Sequence, residues 1–364
     1  MNNFFKLFLV PLFLFLFFFN LYKSKGGDYS SPFFSDEYSW IARGYFLELL
    51  IKGDFDNPLW DTYGQGFEKG VDGDPKLAPY IYGLFMYPDY LKDKQERREE
   101  YDMINYFIDR NLFSGFMNQS VATKYEVYIK ASSDYITWSP RELENPTLSD
   151  LIAIYGNSFN KTVEVILKAR VANYVAVALS VVVGYFIAKL VLKKSWSSIL
   201  ASFFYGSSTL VFATGTYAGT EGLFLFFFNL GLLLLIIIFS RKKFGWLYLV
   251  VFALVVALLN QTKLNGIMLL FIFNLFALLH IIKNLKFKEK YGFIVKTLIV
   301  NLLFAVFYIA LNPFLYKNTL RNVKFQYEWT YGLAQDQQTR FTQEALSDPI
   351  ERLGFFTESF FTKK

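Results

Sequence analysis

The chain has no cysteine and a single histidine, His280, so disulfides, thiolate metal sites and the His/Cys ligand sets of zinc proteins are excluded. Acidic residues are almost missing from the middle of the chain, where Glu221 is the only one between Glu164 and Glu289. No internal repeat is found, which argues against an inverted-repeat transporter. What is abundant is apolar and aromatic. Hydrophobic residues make up 54% of the chain, with 43 Phe and 25 Tyr in 364 residues, a composition outside that of soluble enzymes. The apolar runs are long and continuous rather than short and alternating. That excludes a β-barrel and gives an all-α polytopic membrane protein.

Seven spans are expected, at 4–22, 171–192, 196–217, 223–239, 244–259, 264–282 and 293–311. The first has no small-x-small cleavage site after it and is longer than a signal-peptide core, so it is read as a retained anchor. The domains follow: a first transmembrane helix (1–22), a loop domain (23–170), a six-helix bundle (171–311) and a tail (312–364). The loop domain holds 23 of the 31 acidic residues but only 17 of the 37 basic ones. The overall +6 charge therefore comes from short loops at span ends, where it sets topology and does not signal nucleic acid. Lys189, Lys193 and Lys194, then Arg241, Lys242 and Lys243, then Lys283, Lys286, Lys288 and Lys290 mark three cytoplasmic loops. The long loop, the turns 215–222 and 260–264, and the tail then face outward. His280 falls at a cytoplasmic span end, so histidine chemistry on the outer side is excluded.

Within the long loop, Ser35 is a candidate N-cap for a helix over 36–52 that Gly53 stops. This helix is expected to lie along the membrane with a polar, exposed N-terminus. Asp36 and Glu37 then occupy its first turn, where the helix dipole favours carboxylates. One alternative is a plain helix cap; the other is a general base with a neighbouring carboxylate that orients it. Glu221 opens the fourth span, where an ionisable group at the edge of a very apolar helix is a candidate site. Lys263 is the lone base in the outward turns, and Lys168 and Arg170 lie at the outward start of the second span. These three are either snorkelling cations or partners for a phosphate. Asp72 and Asp74 form a short acidic pair that would suit a divalent cation, in a Gly-rich stretch where turn formation is the ordinary role.

Several segments together resemble a known family. They are Ser35-Asp36-Glu37-Tyr38, then Asp74-Pro75-Lys76-Leu77-Ala78-Pro79-Tyr80-Ile81-Tyr82-Gly83, then Ala169-Arg170. Further on come Thr220-Glu221, Thr262-Lys263-Leu264-Asn265-Gly266 and Asn312-Pro313-Phe314-Leu315-Tyr316. Their order is similar to that in protein O-mannosyltransferases and their bacterial relatives, which are C-type glycosyltransferases. The resemblance implies seven spans with a large loop of surface helices after the first. It also implies transfer of a sugar, with inversion, from a polyprenyl- or dolichyl-phosphate carrier to a protein, glycan or lipid acceptor outside the membrane. By position, Asp36 matches the catalytic carboxylate, Glu37 its neighbour and Glu221 an acidic residue of the active site. Arg170 and Lys263, with Lys168, match the donor phosphate region, and Asn265 and Lys76 are supporting residues.

No cofactor is required by this reading, and a divalent cation is left open. Location follows as the plasma membrane of a prokaryote or the endoplasmic reticulum of a eukaryote, with the active face extracytoplasmic. Members of the family usually continue into a C-terminal module, and 355–361 resembles the start of an eighth span, so such a module is expected to be missing. The segment 118–160 matches no part of the family. The alternative function is a lipid-linked glycan flippase or transporter, which should line its spans with polar residues at mid-bilayer. Few are present, Asn229 and Asn274 among them.

Overall fold

The computed structural model describes residues 8–32, 36–57, 60, 75–97, 101–110, 112, 147–155, 160–240, 245–284 and 287–340. Among these the chain is helical, apart from turns and one isolated antiparallel bridge between Pro32 and Thr147. We number the described helices α1 (Val10–Gly26), α2 (Asp36–Ala42), α3 (Phe46–Lys52), α4 (Leu77–Glu96), α5 (Met103–Ile108), α6 (Leu148–Tyr155), α7 (Asn160–Leu192), α8 (Ser195–Ser207), α9 (Thr209–Thr214), α10 (Thr220–Ser240), α11 (Trp246–Asn260), α12 (Ile267–Asn284), α13 (Phe287–Ala310) and α14 (Thr319–Arg340).

Among the described residues, four segments are long and apolar enough to cross a membrane: Asn160–Leu192, Thr220–Ser240, Leu264–Ile282 and Lys290–Ala310. Of the other three expected spans, two correspond to shorter helices and the first is described only from residue 8. α11 has 15 residues and the described part of the first has 17, against roughly 20 for a perpendicular crossing. The segment expected as a third span is broken at Ser208, which is extended (ψ 141°) between α8 and α9. The break leaves carbonyls without their helical donors, and one of them, that of Gly206, accepts the buried Tyr22 hydroxyl at 2.9 Å.

α7 organises the molecule. Its 33 residues make a rod of about 50 Å, well over the roughly 30 Å of hydrocarbon. The surplus forms a stalk: Val163, Ile166 and Ala169 belong to the core of the loop helices, together with Ile41, Phe46, Tyr82, Met86 and Phe107. Below them Tyr174, Val177, Val181 and Tyr185 pack with Leu14, Phe18 and Tyr22 of α1. A third cluster joins α10 to α13, with Leu234, Phe252, Val256, Phe273 and Val300 at its centre.

The two mid-span asparagines find partners inside the bundle. Asn229 donates to Ser180 Oγ and to the Tyr205 hydroxyl, both at 2.8 Å, and Asn274 and Asn301 exchange amide hydrogen bonds at 3.0 and 2.9 Å.

The expected helix over 36–52 is present, and Gly53 ends it in the left-handed conformation (φ 63°). Its middle tightens to a 3-10 turn at Arg43–Tyr45. α4 runs through Pro88 rather than stopping there; the carbonyl this leaves without a donor is that of Leu84, a residue 58% exposed, where water can satisfy it. The Glu48 carboxylate ties these helices together, accepting from the Tyr90 hydroxyl at 2.5 Å and the Met103 amide at 2.7 Å, and pairing with Lys52 at 2.8 Å. Burial alone would raise its carboxyl, but these partners hold it below the usual carboxylate range.

Where α4 crosses the α2–α3 segment, Gly83 lies on Gly44. A Cβ built on Gly83 would be 2.4 Å from the Gly44 carbonyl oxygen, and one on Gly44 would be 2.9 Å from the Gly83 Cα. Both obstacles are backbone, so neither side can yield cheaply. Gly83→Ala is expected to lower stability by about 1–3 kcal/mol, the usual cost of overpacking. Thermal unfolding in detergent measures this, and unchanged stability would show that the two backbones do not meet.

Candidate functional site

Arg170 sits on α7 where the stalk meets the membrane bundle. Its side chain and that of Glu37 on α2 are both 0% exposed. The guanidinium grips the carboxylate in a fork, Nε to Oε1 at 2.8 Å and Nη2 to Oε2 at 2.7 Å. It also donates to the Gly26 carbonyl at 2.8 Å and the Pro32 carbonyl at 2.6 Å. Glu37 Oε1 accepts a third hydrogen bond, from the Ala218 amide at 2.5 Å. Two charges removed from water cost several kcal/mol each unless their hydrogen-bonding capacity is filled, and here most of it is. The expectation of an exposed polar N-terminus for this helix is thus corrected: Glu37 is drawn inward because Arg170 and Ala218 solvate it in place of water. Asp36 is the first residue of α2; its side chain lies outside the described part of the structure, as do Ser35, Asp72 and Asp74.

From Ala218 the chain leads in three residues to Glu221, in the first turn of α10. The intervening turn is held from several sides. The buried Tyr82 hydroxyl donates to the Gly219 carbonyl at 2.7 Å, and Asn173 donates to the Tyr217 carbonyl at 2.6 Å and to that of Thr214. Burial first, then the Glu37 and Glu221 carboxylates near it, raises the Tyr82 phenol well above its ordinary range. It stays a protonated donor.

Glu221 Oε1 lies 2.5 Å from Lys263 Nζ. This second ion pair differs from the first in being open, with the lysine side chain 41% and the carboxylate 34% exposed. Lys263 stands in the turn between α11 and α12, and α4 docks onto that turn. Gln261 accepts from the Lys76 amide at 3.3 Å through its side chain and from the Leu77 amide at 3.0 Å through its carbonyl, and donates to the Tyr308 carbonyl at 3.1 Å. One end of the bundle thus carries Glu37, Glu221, Lys263 and Arg170, with α2 and α4 laid over it.

Other expected residues are placed differently. Lys76 is buried, with its ammonium 4.4 Å from the Phe46 ring centre. Lys168 pairs with Asp89, twelve residues along α4 from Leu77, or about 18 Å from the Lys263 turn. Asn265 is exposed in a 3-10 turn. No group of three or more His, Asp or Glu side chains able to hold a metal occurs among the described residues. Three residues that position the site carried no signal of their own: Tyr82, Asn173 and Gln261. Tyr82 at least lies inside the Asp74–Gly83 segment of the family resemblance.

Replacing Arg170 by Met should leave Glu37 as an uncompensated buried charge and cost about 3–5 kcal/mol. Arg170→Lys is expected to recover only part, since an ammonium cannot reproduce the fork. Adding Glu37→Gln to Arg170→Met should restore stability relative to Arg170→Met alone. A melting temperature for Arg170→Met equal to that of wild type would show that the pair does not hold the structure.

Comparison with known proteins adds an independent finding. The family model described as dolichyl-phosphate-mannose-protein mannosyltransferase matches residues 144–326, a stretch that contains Arg170, Glu221 and Lys263 and begins after Glu37. Searches of curated proteins and of solved structures gave no match. The matched stretch is half of the chain and includes all four helices able to cross a membrane, so this membrane protein belongs to the dolichyl-phosphate-mannose-protein mannosyltransferase family of glycosyltransferases.

Proposed function

We propose that the chain transfers a mannosyl group from a dolichyl- or polyprenyl-phosphate carrier to a hydroxyl of an extracytoplasmic acceptor, with inversion at the anomeric carbon. The observation that carries this reading is the open Glu221–Lys263 pair, set beside the turn that Glu37, the neighbour of Asp36, holds in place. In the reaction the acceptor oxygen attacks the anomeric carbon and the bond from that carbon to the phosphate oxygen breaks. The hydroxyl proton passes to the Asp36 carboxylate, and the lipid phosphate departs with its negative charge. A hydroxyl is a weak nucleophile and a phosphate leaves more easily beside a cation, so a base and a positive charge are both required. A single in-line displacement inverts the centre.

Lys263 is the proposed phosphate partner. A half-exposed ion pair is worth roughly 0–1 kcal/mol, so exchanging Glu221 for a phosphate costs little. Arg170 takes a different part, because its fork is filled by Glu37 and two backbone carbonyls. It positions the start of α2, and so Asp36, rather than meeting the donor. The transporter reading is less well supported: the amides of Asn229 and Asn274 are satisfied within the bundle and do not call for a polar path.

The test is sugar incorporation by purified protein from defined polyprenyl- and dolichyl-phosphate donors. Asp36→Asn should keep its melting temperature and lose about a hundredfold or more in transfer, since general-base catalysis contributes roughly 10²–10⁴. Normal turnover in the folded variant would remove Asp36 from the mechanism.

Lys263→Gln should lose one charge-assisted contact, about 1.5–3 kcal/mol or roughly tenfold to a hundredfold in donor affinity or transfer. Lys263→Arg should regain part of it, the planar fork being a poorer fit where a compact charge stood. Unchanged constants for Lys263→Gln across donor concentrations would return this lysine to a surface role.

A further inference from the structure

At the far end of α7 lies a groove that the proposed reaction does not use. Its volume is about 540 Å³, and it is lined by Phe186, Lys189, Leu190 and Lys193 from the end of α7 and by Leu233 and Ile237 of α10. That size falls within the range of about 300–1,000 Å³ common to small-ligand sites. Four of the six residues are apolar and the other two are cationic. Nineteen residues of helix separate Lys189 from Arg170, about 28 Å, close to the hydrocarbon thickness of roughly 30 Å. The groove therefore opens at the membrane face opposite the Glu37–Arg170 and Glu221–Lys263 pairs.

Lys193 has a second peculiarity. Its φ of 58° makes it the only non-glycine residue with positive φ among those described, and its amide still closes the last turn of α7 on the Lys189 carbonyl at 3.1 Å. Glycine is the usual occupant of a left-handed position after a helix, because a Cβ there is sterically penalised. A strained side chain retained in such a place points to a use for that side chain. No carboxylate among the described residues lines the groove, and by sequence the charges next to its lining residues are also basic: Lys194, and Arg241, Lys242 and Lys243 just after α10. Apolar walls beneath unopposed cations at a membrane face match the two parts of one kind of molecule.

We propose that this groove binds an acyl chain of an anionic phospholipid from that leaflet, with its phosphate held between Lys189 and Lys193. The probe is the purified full chain in phosphatidylcholine nanodiscs with and without phosphatidylglycerol, read by melting temperature and by native mass spectrometry of retained lipid. Wild type should melt higher with phosphatidylglycerol and keep one copy through delipidation. Lys189→Gln/Lys193→Gln should melt as wild type does in pure phosphatidylcholine but hold phosphatidylglycerol about twenty-five-fold more weakly, at roughly fivefold for each lysine near a lipid surface. Lys193→Gly should melt at or above wild type in phosphatidylcholine, from relief of the left-handed strain, yet lose most of the phosphatidylglycerol effect. Lys194→Gln, outside the lining, should behave as wild type. Equal retention by the double variant, or an equal loss in Lys194→Gln, would overturn the site, as would the same melting rise from inorganic phosphate alone.

Discussion

The fork between Arg170 and Glu37 is the contact on which the loop-helix half of the molecule depends. A guanidinium with no exposed surface must find partners for its N–H groups or bear a large desolvation penalty, and here they come from three separate places, with a fourth joined through the carboxylate. Gly26 is the end of α1, Pro32 lies in the passage out of it, Glu37 begins the loop helices, and Ala218 reaches the network through Glu37. Charge satisfaction at one point therefore determines where the first helix stops, how the loop domain returns to the membrane and where α10 begins. The apolar clusters supply most of the stability but accept many arrangements of similar packing. The fork accepts one.

The two ion pairs of the site share chemistry and differ in solvation, and that difference separates their roles. Breaking the buried pair costs about 3–5 kcal/mol, too much for an event repeated in every turnover. The half-exposed Glu221–Lys263 pair gains little from its own attraction, so its lysine is available to another anion. A closed pair and an open pair thus lie three residues apart along the 218–221 stretch. Tyr82 fastens that stretch from the loop side through the Gly219 carbonyl. A glycosyl donor needs both properties: a site that does not move, and a cation free to take the phosphate.

What could be read in the sequence was local or periodic. The helix over 36–52 and its Gly53 stop follow from the spacing of apolar residues and from a glycine's access to positive φ, and the long apolar runs announced the membrane. The candidate residues Arg170, Glu37, Glu221 and Lys263 stood out as charges in apolar surroundings, but which of them meet did not. Glu37 and Arg170 are 133 positions apart and Lys263 and Glu221 are 42 apart, so no periodicity links them. By sequence alone Arg170 suits a donor phosphate and Glu37 an exposed helix start, and only the fold joins them. The break at Ser208 was equally hidden, because it has no proline and its energy is recovered by a tyrosine on α1.

α7 relates these observations to one another. A helix that merely crossed the membrane would need about 20 residues, and the additional turns of this one reach into the loop core through Val163, Ile166 and Ala169. The covalent rod that places Arg170 at one face also places Lys189 and Lys193 at the other. A straight helix transmits a shift along its axis with little loss, because its backbone hydrogen bonds all run in that direction. An anionic lipid seated at one end would bear on the depth at which the other end sits. In the proposed reaction that depth would set where the Glu37–Arg170 fork meets the headgroup layer, the same layer from which a lipid-linked donor would present its phosphate to Lys263. The length of α7 thus matches two surfaces to one bilayer, and its terminal lysines are placed where that match can be held.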